Sequence, residues 1–232
     1  VLGTLKRGDL VAVEENSHWY KIGGNQYVCA DYVGKQTASS STSQGIDVSA
    51  YQGTIDWSKV RNSGIQFAIL RGIEKSGNMD RTFETNYDEA TANGVEIKGV
   101  YHYLYATNEA QAVVAANTMM DGLKGRKITI WLDLEYPALR STGRVTEIAN
   151  AYIDACKAGG YDVGVYSNLD WYKNVYRPAD LHVSKFWIAR YAYSGEYKES
   201  LKPNVGEVIW QWGSKGNVDG IYYEDCIGWN VD

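Results

Sequence analysis

Between Gly45 and Trp212 the sequence switches repeatedly between two hydrophobic periods, and this limits the fold more than any other feature. Short apolar runs read as strands: Ile46-Asp-Val-Ser49, Ile65-Gln-Phe-Ala-Ile-Leu70, residues 98–105, residues 127–135 and Val163-Gly-Val-Tyr-Ser167. Stretches of helical character separate them. One lies near 57–63, one spans 83–93 and stops at Gly94, and one spans 109–123 with good alanine content. A fourth spans 144–158 and ends at Gly159-Gly160. Five strand–helix units in series predict a parallel sheet, since parallel neighbours need a crossover of helical length. Phe186-Trp-Ile-Ala189 and Val208-Ile-Trp-Gln-Trp212 are later strands with few convincing helices between them. The expected fold is therefore α/β: an irregular TIM-like (β/α) barrel with about five βα units followed by strands.

The beginning of the chain reads differently. Asp9-Leu-Val-Ala-Val13, Trp19-Tyr-Lys-Ile22 and Gln26-Tyr-Val-Cys-Ala30 are strand candidates, with Gly23-Gly24-Asn25 as a turn. Residues 36–44, Gln-Thr-Ala-Ser-Ser-Ser-Thr-Ser-Gln, have no apolar period and read as a linker. The expected organisation is a small β segment over 1–35, a Ser/Thr-rich linker over 36–44 and an α/β domain over 45–232. Thirty-five residues make a poor independent core, so the first piece either packs on the larger domain or lacks a partner strand. The chain begins at Val1 without a secretory signal, as expected if a leader has been removed or the chain is a fragment.

Composition excludes several classes. A formal net charge of −5 argues against nucleic-acid binding. No apolar run approaches the roughly 18 residues of a membrane span, so no membrane insertion is expected. Cys29, Cys156 and Cys226 are far apart, which makes a zinc site improbable, and their odd number argues against a disulfide framework. His18, His102 and His182 are scattered, so neither a metal site nor a histidine-based hydrolase triad is expected; His102, between two tyrosines, reads as a core residue. No glycine loop for phosphate is present. No metal and no cofactor are expected, and the oligomeric state is unreadable. The 19 Tyr and 8 Trp are unusual. Aromatic faces suit sugar rings, although core packing accounts for most such residues.

Chemistry concentrates in carboxylates. Function in a parallel α/β barrel sits at the C-terminal ends of the strands. Asp47, Asp133 and Glu135 all fall at such ends. Asp133 and Glu135, two apart on a strand, share a face with Cα atoms roughly 6.6 Å apart. Acids forced together cannot both ionise easily, so one pKa rises, as a general acid needs near neutral pH. Glycoside cleavage uses such a pair. An isolated Asp-x-Glu is common by chance and is usually a pair of solvated acids. Here Ile128, Ile130, Leu132 and Leu134 mark the strand as buried, where acids are rare.

Residues 45–232 resemble glycoside hydrolase family 25, the lysozyme family that includes phage endolysins and bacterial autolysins. The resemblance rests on Gly45-Ile-Asp-Val-Ser-Ala-Tyr-Gln-Gly53, Ile55-Asp-Trp57, Gly64-Ile-Gln-Phe-Ala68 and Gly99-Val-Tyr-His-Tyr103. It continues through Leu132-Asp-Leu-Glu135, Gly164-Val-Tyr-Ser167, Trp187-Ile-Ala-Arg-Tyr191 and Trp210-Gln-Trp212. It implies hydrolysis of the β-1,4 bond between N-acetylmuramic acid and N-acetylglucosamine of bacterial peptidoglycan, with retention. It makes Glu135 the general acid/base. Asp133 would stabilise the transition state or orient the substrate acetamido group, and Asp47 would be a further acid across the pocket. Asp219, in Asn217-Val-Asp219, best matches a late family aspartate, with an ordinary surface-turn aspartate as the competing reading. Tyr101, Tyr166, Trp187 and Gln211 become candidate sugar contacts, with core packing as the competing reading for each. The nucleophile stays open between a carboxylate and the substrate's own acetamido group. The family commonly has Lys-x-Thr/Ser-Glu-Gly after the second strand; this chain has Arg71-Gly-Ile-Glu-Lys75, so the rim of the site there is expected to differ. Family position also implies a secreted or wall-associated enzyme, or one encoded by a phage and released at lysis.

In the first segment, Leu5-Lys-Arg-Gly-Asp-Leu-Val-Ala-Val13, His18-Trp-Tyr-Lys-Ile22 and Tyr27-Val-Cys-Ala-Asp-Tyr32 resemble the later part of a bacterial Src-homology-3-type wall module, without its leading strand. Two other functions compete with the muramidase. A chitinase-like hydrolase would need aspartates two and five positions before Asp133, where Trp131 and Ile128 stand. A non-catalytic carbohydrate-binding barrel would not need Asp47, Asp133 and Glu135 together.

Overall fold

The computed structural model describes residues 43–222 and 228–232 in full, together with the backbone of three earlier strands. Two compact units divide the chain at Ser41/Thr42. The first contains β1 (Glu14–Asn16), β2 (Trp19–Gly23) and β3 (Gln26–Cys29), paired antiparallel in that order. β2 and β3 fall on the runs expected at 19–22 and 26–30. The strand expected at 9–13 lies outside the described residues, as do most of the linker expected at 36–44, Cys226 and the side chain of Cys29.

The second unit is a closed eight-stranded barrel. β4 (Gln44–Val48), β5 (Phe67–Arg71), β6 (Glu96–Tyr103), β7 (Ile130–Asp133), β8 (Val163–Asn168), β9 (Phe186–Ala189) and β10 (Ile209–Gly213) run parallel to their neighbours in chain order. β11 (Gly228–Val231) closes the ring, antiparallel to both β10 and β4. The irregular barrel expected from the sequence is therefore present. Its antiparallel closing strand was not expected, and Gln44, placed in the linker by sequence, instead opens β4.

Helices α1 (Trp57–Asn62), α2 (Phe83–Ala92), α3 (Glu109–Gly122) and α5 (Val145–Ala158) sit where the helical period places them. Short helices α4 (Pro137–Arg140) and α6 (Leu169–Asn174) were not foreseen. α5 shows why periodicity works. Val145, Ile148, Ala149, Tyr152, Ile153 and Cys156 are buried, a stripe of three- and four-residue steps that fits one face of a helix. Helix starts are fixed by side chains: Asp56 accepts from Lys59 N at the start of α1, and Asn108 accepts from Gln111 N at the start of α3. His102 is buried, and its Nδ1 lies 3.0 Å from the Tyr152 hydroxyl.

Inside the barrel, large rings alternate with glycines. Phe67, Ile69, Trp131, Tyr166, Trp187, Ala189 and Ile209 form one buried cluster. Trp131 lies between two glycines on adjacent strands: a Cβ on Gly99 would sit 2.3 Å from its Nε1, and one on Gly164 would sit 2.3 Å from its Cζ3. Gly45 makes the same allowance for Phe67, with 2.3 Å to Cε2. Because successive residues of a strand face opposite sides, the inward row that carries these rings deeper down carries Asp47, Arg71, Tyr103 and Asp133 to the C-terminal mouth.

Candidate active site

A cleft of about 800 Å3 opens at that mouth. Asp47, Tyr101, Asp133, Glu135, Tyr166, Trp187 and Gln211 all line it, so seven of the eight residues singled out by sequence come together. Asp219 does not line the cleft; it sits on an exposed turn near the Lys59 ammonium.

β7 ends at Asp133, two residues earlier than the strand expected at 127–135. Glu135 therefore lies past the last paired residue. The chain still runs on in register, because Leu104 N donates to Asp133 O (3.0 Å) and Leu134 N donates to Tyr166 O (2.9 Å). That anchoring keeps Glu135 on the cleft wall, half-buried, with Asp133 buried beneath it. Burial raises the Asp133 carboxyl well above the usual range, and the neighbouring Glu135 and Asp47 raise it further. Its Oδ1 has no hydrogen-bond partner among the described residues, so little there offsets the loss of water. Glu135 is raised by burial and then by the charge of Asp47.

Asp47 is held differently. Burial pushes it up to about 6, against hydrogen bonds that favour its ionised form. Gln211 Nε2 (2.7 Å) and Asn230 Nδ2 (2.9 Å) both donate to its Oδ2. Each amide is itself oriented. Gln211 Oε1 accepts from the Tyr166 hydroxyl (2.8 Å) and from the Tyr191 hydroxyl. Asn230 Oδ1 accepts from Trp187 Nε1 (2.7 Å). Tyr166, Trp187 and Gln211 thus form a buried floor that positions a carboxylate. Asn230, fully buried on β11, belongs to the same network and was not anticipated. Gly228 pairs with Asp47 across the strands, and a Cβ there would fall 1.7 Å from Asp47 Oδ2. A glycine is what leaves space for that carboxylate.

The rim is aromatic and cationic. Tyr51, Tyr105 and Tyr191 are the exposed aromatics lining the cleft. Tyr51 is carried on a 3-10 turn closed by the Ser49–Gln52 capping box and lies beneath the Arg71 guanidinium, 4.8 Å from its ring centroid. The segment Arg71–Lys75, where this chain departs from the usual motif, is braced by Asp80. Asp80 Oδ2 accepts from Arg71 Nε (2.6 Å) and Ala50 N (2.9 Å), while its Oδ1 accepts from Thr82. Burial disfavours the Asp80 charge, but these donors outweigh it and hold the carboxyl below the ordinary range. Glu74 pairs with Arg71 (3.6 Å) and Arg81 (3.5 Å). Lys75, Arg81 and Lys215 complete the rim. Among the described residues no group of histidine, cysteine or acidic side chains could hold a metal.

A model of glycosyl hydrolases family 25 matches residues 46–221, about three quarters of the chain. The chain belongs to glycosyl hydrolase family 25. Among curated relatives, Lysozyme M1 of Streptomyces globisporus is 29% identical over 197 residues, covering 79% of this chain and 66% of the relative. The autolytic lysozyme of Clostridium acetobutylicum is 28% identical over 180 residues, covering 77% and 52%. This chain therefore spans between about half and two thirds of those proteins' lengths. In fold it is similar to the catalytic domain of endolysin ply40 from bacteriophage P40 of Listeria monocytogenes. That match has a TM-score of 0.72 at 24% identity and covers 83% of this chain and 94% of the other. The modular autolysin LytC of Streptococcus pneumoniae, solved with a synthetic peptidoglycan ligand, matches with a TM-score of 0.67 at 26% identity, covering 84% and 47%. The family 25 match ends at Ile221, so it includes Asp47, Asp133 and Glu135 but not Gly228 or Asn230.

Proposed function

We propose that this chain is an N-acetylmuramidase that hydrolyses the β-1,4 bond between N-acetylmuramic acid and N-acetylglucosamine in bacterial peptidoglycan. The observation that carries the reading is the convergence of Asp47, Asp133 and Glu135 at the mouth of the barrel, each held above its ordinary carboxyl range. Glycoside cleavage needs a protonated acid near neutral pH, and burial beside other acids provides one. Glu135, half-buried on the cleft wall, is the acid/base that protonates the leaving oxygen and then activates water. Asp133, whose carboxyl is raised by burial and by the neighbouring Glu135 and Asp47, stabilises the transition state or orients the substrate acetamido group. Asp47, ionised above about pH 6, balances positive charge as it develops on the sugar ring. Retention is the expected outcome. Tyr51, Tyr105 and Tyr191 offer the exposed faces for sugar rings, and Tyr101, Tyr166, Trp187 and Gln211 shape the floor beneath them.

In this proposal the protein acts at the bacterial wall, reached by secretion or by release from a phage-infected cell. The first unit is read as a partial Src-homology-3-type segment. The names of the family relatives support the muramidase reading, two of them being lysozymes. The test is release of reducing ends from purified peptidoglycan, with mass analysis of the fragments. Wild type is expected to release N-acetylmuramic acid ends, and Glu135→Gln to lose at least about a hundredfold, the low end of a general acid's contribution. Equal release by both proteins sinks the role of Glu135; N-acetylglucosamine ends or free peptides sink the bond assignment.

A further inference from the structure

A second cavity, of about 490 Å3, opens beside the active-site cleft. The two share a ridge formed by Ile73, Glu74, Lys75 and Tyr105. The far wall is one face of α3, where Ala110 and Val114 are exposed. The floor includes His102, whose pKa burial lowers to about 4, so the floor carries no charge near neutral pH. On the ridge the Glu74 carboxylate is already paired with Arg71 and Arg81. Lys75 is exposed, with its Nζ 5.9 Å from the Tyr105 ring centroid, and no carboxylate pairs with it among the described residues.

An apolar hollow with a neutral floor and an uncommitted cation on its lip is complementary to a short peptide with small apolar residues and a carboxylate. Peptidoglycan carries such a peptide on the lactyl group of its muramyl residues. A glycan strand lying in the cleft carries that peptide beside it, and the Lys75 ridge borders both the cleft and the hollow. We propose that the second cavity is a subsite for the acidic stem peptide of the muramyl residue, with a peptide carboxylate paired to Lys75. The inference rests on the muramidase reading given above.

The full chain is assayed on two substrates: peptidoglycan glycan bearing its stem peptides, and the same glycan stripped of them by an amidase. Val114→Glu and Ala110→Glu place a carboxylate on the α3 wall, at exposed sites where glutamate suits a helix. Wild type is expected to have the higher kcat/KM on the peptide-bearing glycan. Each glutamate variant is expected to lose about threefold of that preference, the scale of one surface ion pair, with an unchanged rate on the stripped glycan. Lys75→Ala is expected to show a loss of similar size on the peptide-bearing glycan. Equal cleavage of both glycans by wild type overturns the proposal, as does an unchanged preference in the variants. A matching loss on both glycans also overturns it, because the cavity then takes sugar. If wild type cleaves neither glycan, the muramidase reading fails first and takes this inference with it.

Discussion

Asp47 combines a largely desolvated position with two amide donors on a single oxygen. The donors lower its pKa, but burial wins, and the native pKa of about 6 stands above the ordinary aspartate value of 3.8. Above pH 6 the group is ionised whether the chain is folded or not, and the native state bears the full cost of the buried charge. As pH falls from 6 to 3.8 that cost disappears, the reverse of a salt-bridged aspartate. A shift of this size corresponds to roughly 3 kcal/mol. Asp47→Asn keeps an oxygen for both amides and removes the charge. It is expected to be more stable than wild type by about 1–3 kcal/mol at pH 8 and equal to it at pH 4, as read by urea unfolding. The proposed muramidase activity is expected to be lost with the charge. The same group sets an expected acid limb: the wild-type rate on peptidoglycan should fall as pH drops through about 6, and a flat profile from pH 5 to 7 would remove Asp47 from the mechanism. Asp47, Asp133 and Glu135 were legible in the sequence because acids at the ends of apolar strands stand out. Asn230 and Gly228 were not. A buried asparagine acquires meaning only from its partners, Asp47 and Trp187, which lie 183 and 43 residues away in the chain.

At the scale of elements, hydrophobic period located the parallel strands and the four longer helices but not β11. The stretch before β11, from Gly213 to Gly220, is polar and glycine-rich, and a four-residue strand with asparagine inside offers little alternation to read. β7 shows the opposite error: the strand read over 127–135 overruns at both ends, and only Ile130–Asp133 form it. The glycines on β6 and β8 were visible as letters, while their purpose was not. Each cedes space to Trp131 from the neighbouring strand. Gly164→Ala is expected to destabilise the barrel by about 1–3 kcal/mol through overpacking. Combining it with Trp131→Leu, which vacates the ring, should cost less than the sum of the two single changes. Urea midpoints of the four proteins test this, and simple additivity would refute the proposed contact.

For the molecule as a whole, sign and place of charge matter more than the total. The chain carries −5 overall, yet Arg71, Lys75, Arg81 and Lys215 gather around a cleft whose floor is acidic. Under the proposed function, a polymer bearing carboxylates meets a rim on which four cations outnumber one acid, Glu74, before it reaches the acids of the floor, a separation that composition alone hides. The same scale reveals how the barrel is fastened. Ser43 N donates to Asp232 Oδ1 (2.7 Å), and the Asp232 carboxylate also pairs with Lys98. Ser43 and Asp232 therefore lie side by side next to β4 and β11. That proximity makes the order of the elements along the chain separable from their order in space. A circular permutant that joins Asp232 to Ser43 through a short glycine–serine bridge, reopened at the exposed Ser194-Gly195 turn, is expected to refold into the same ring and cleave the same bond.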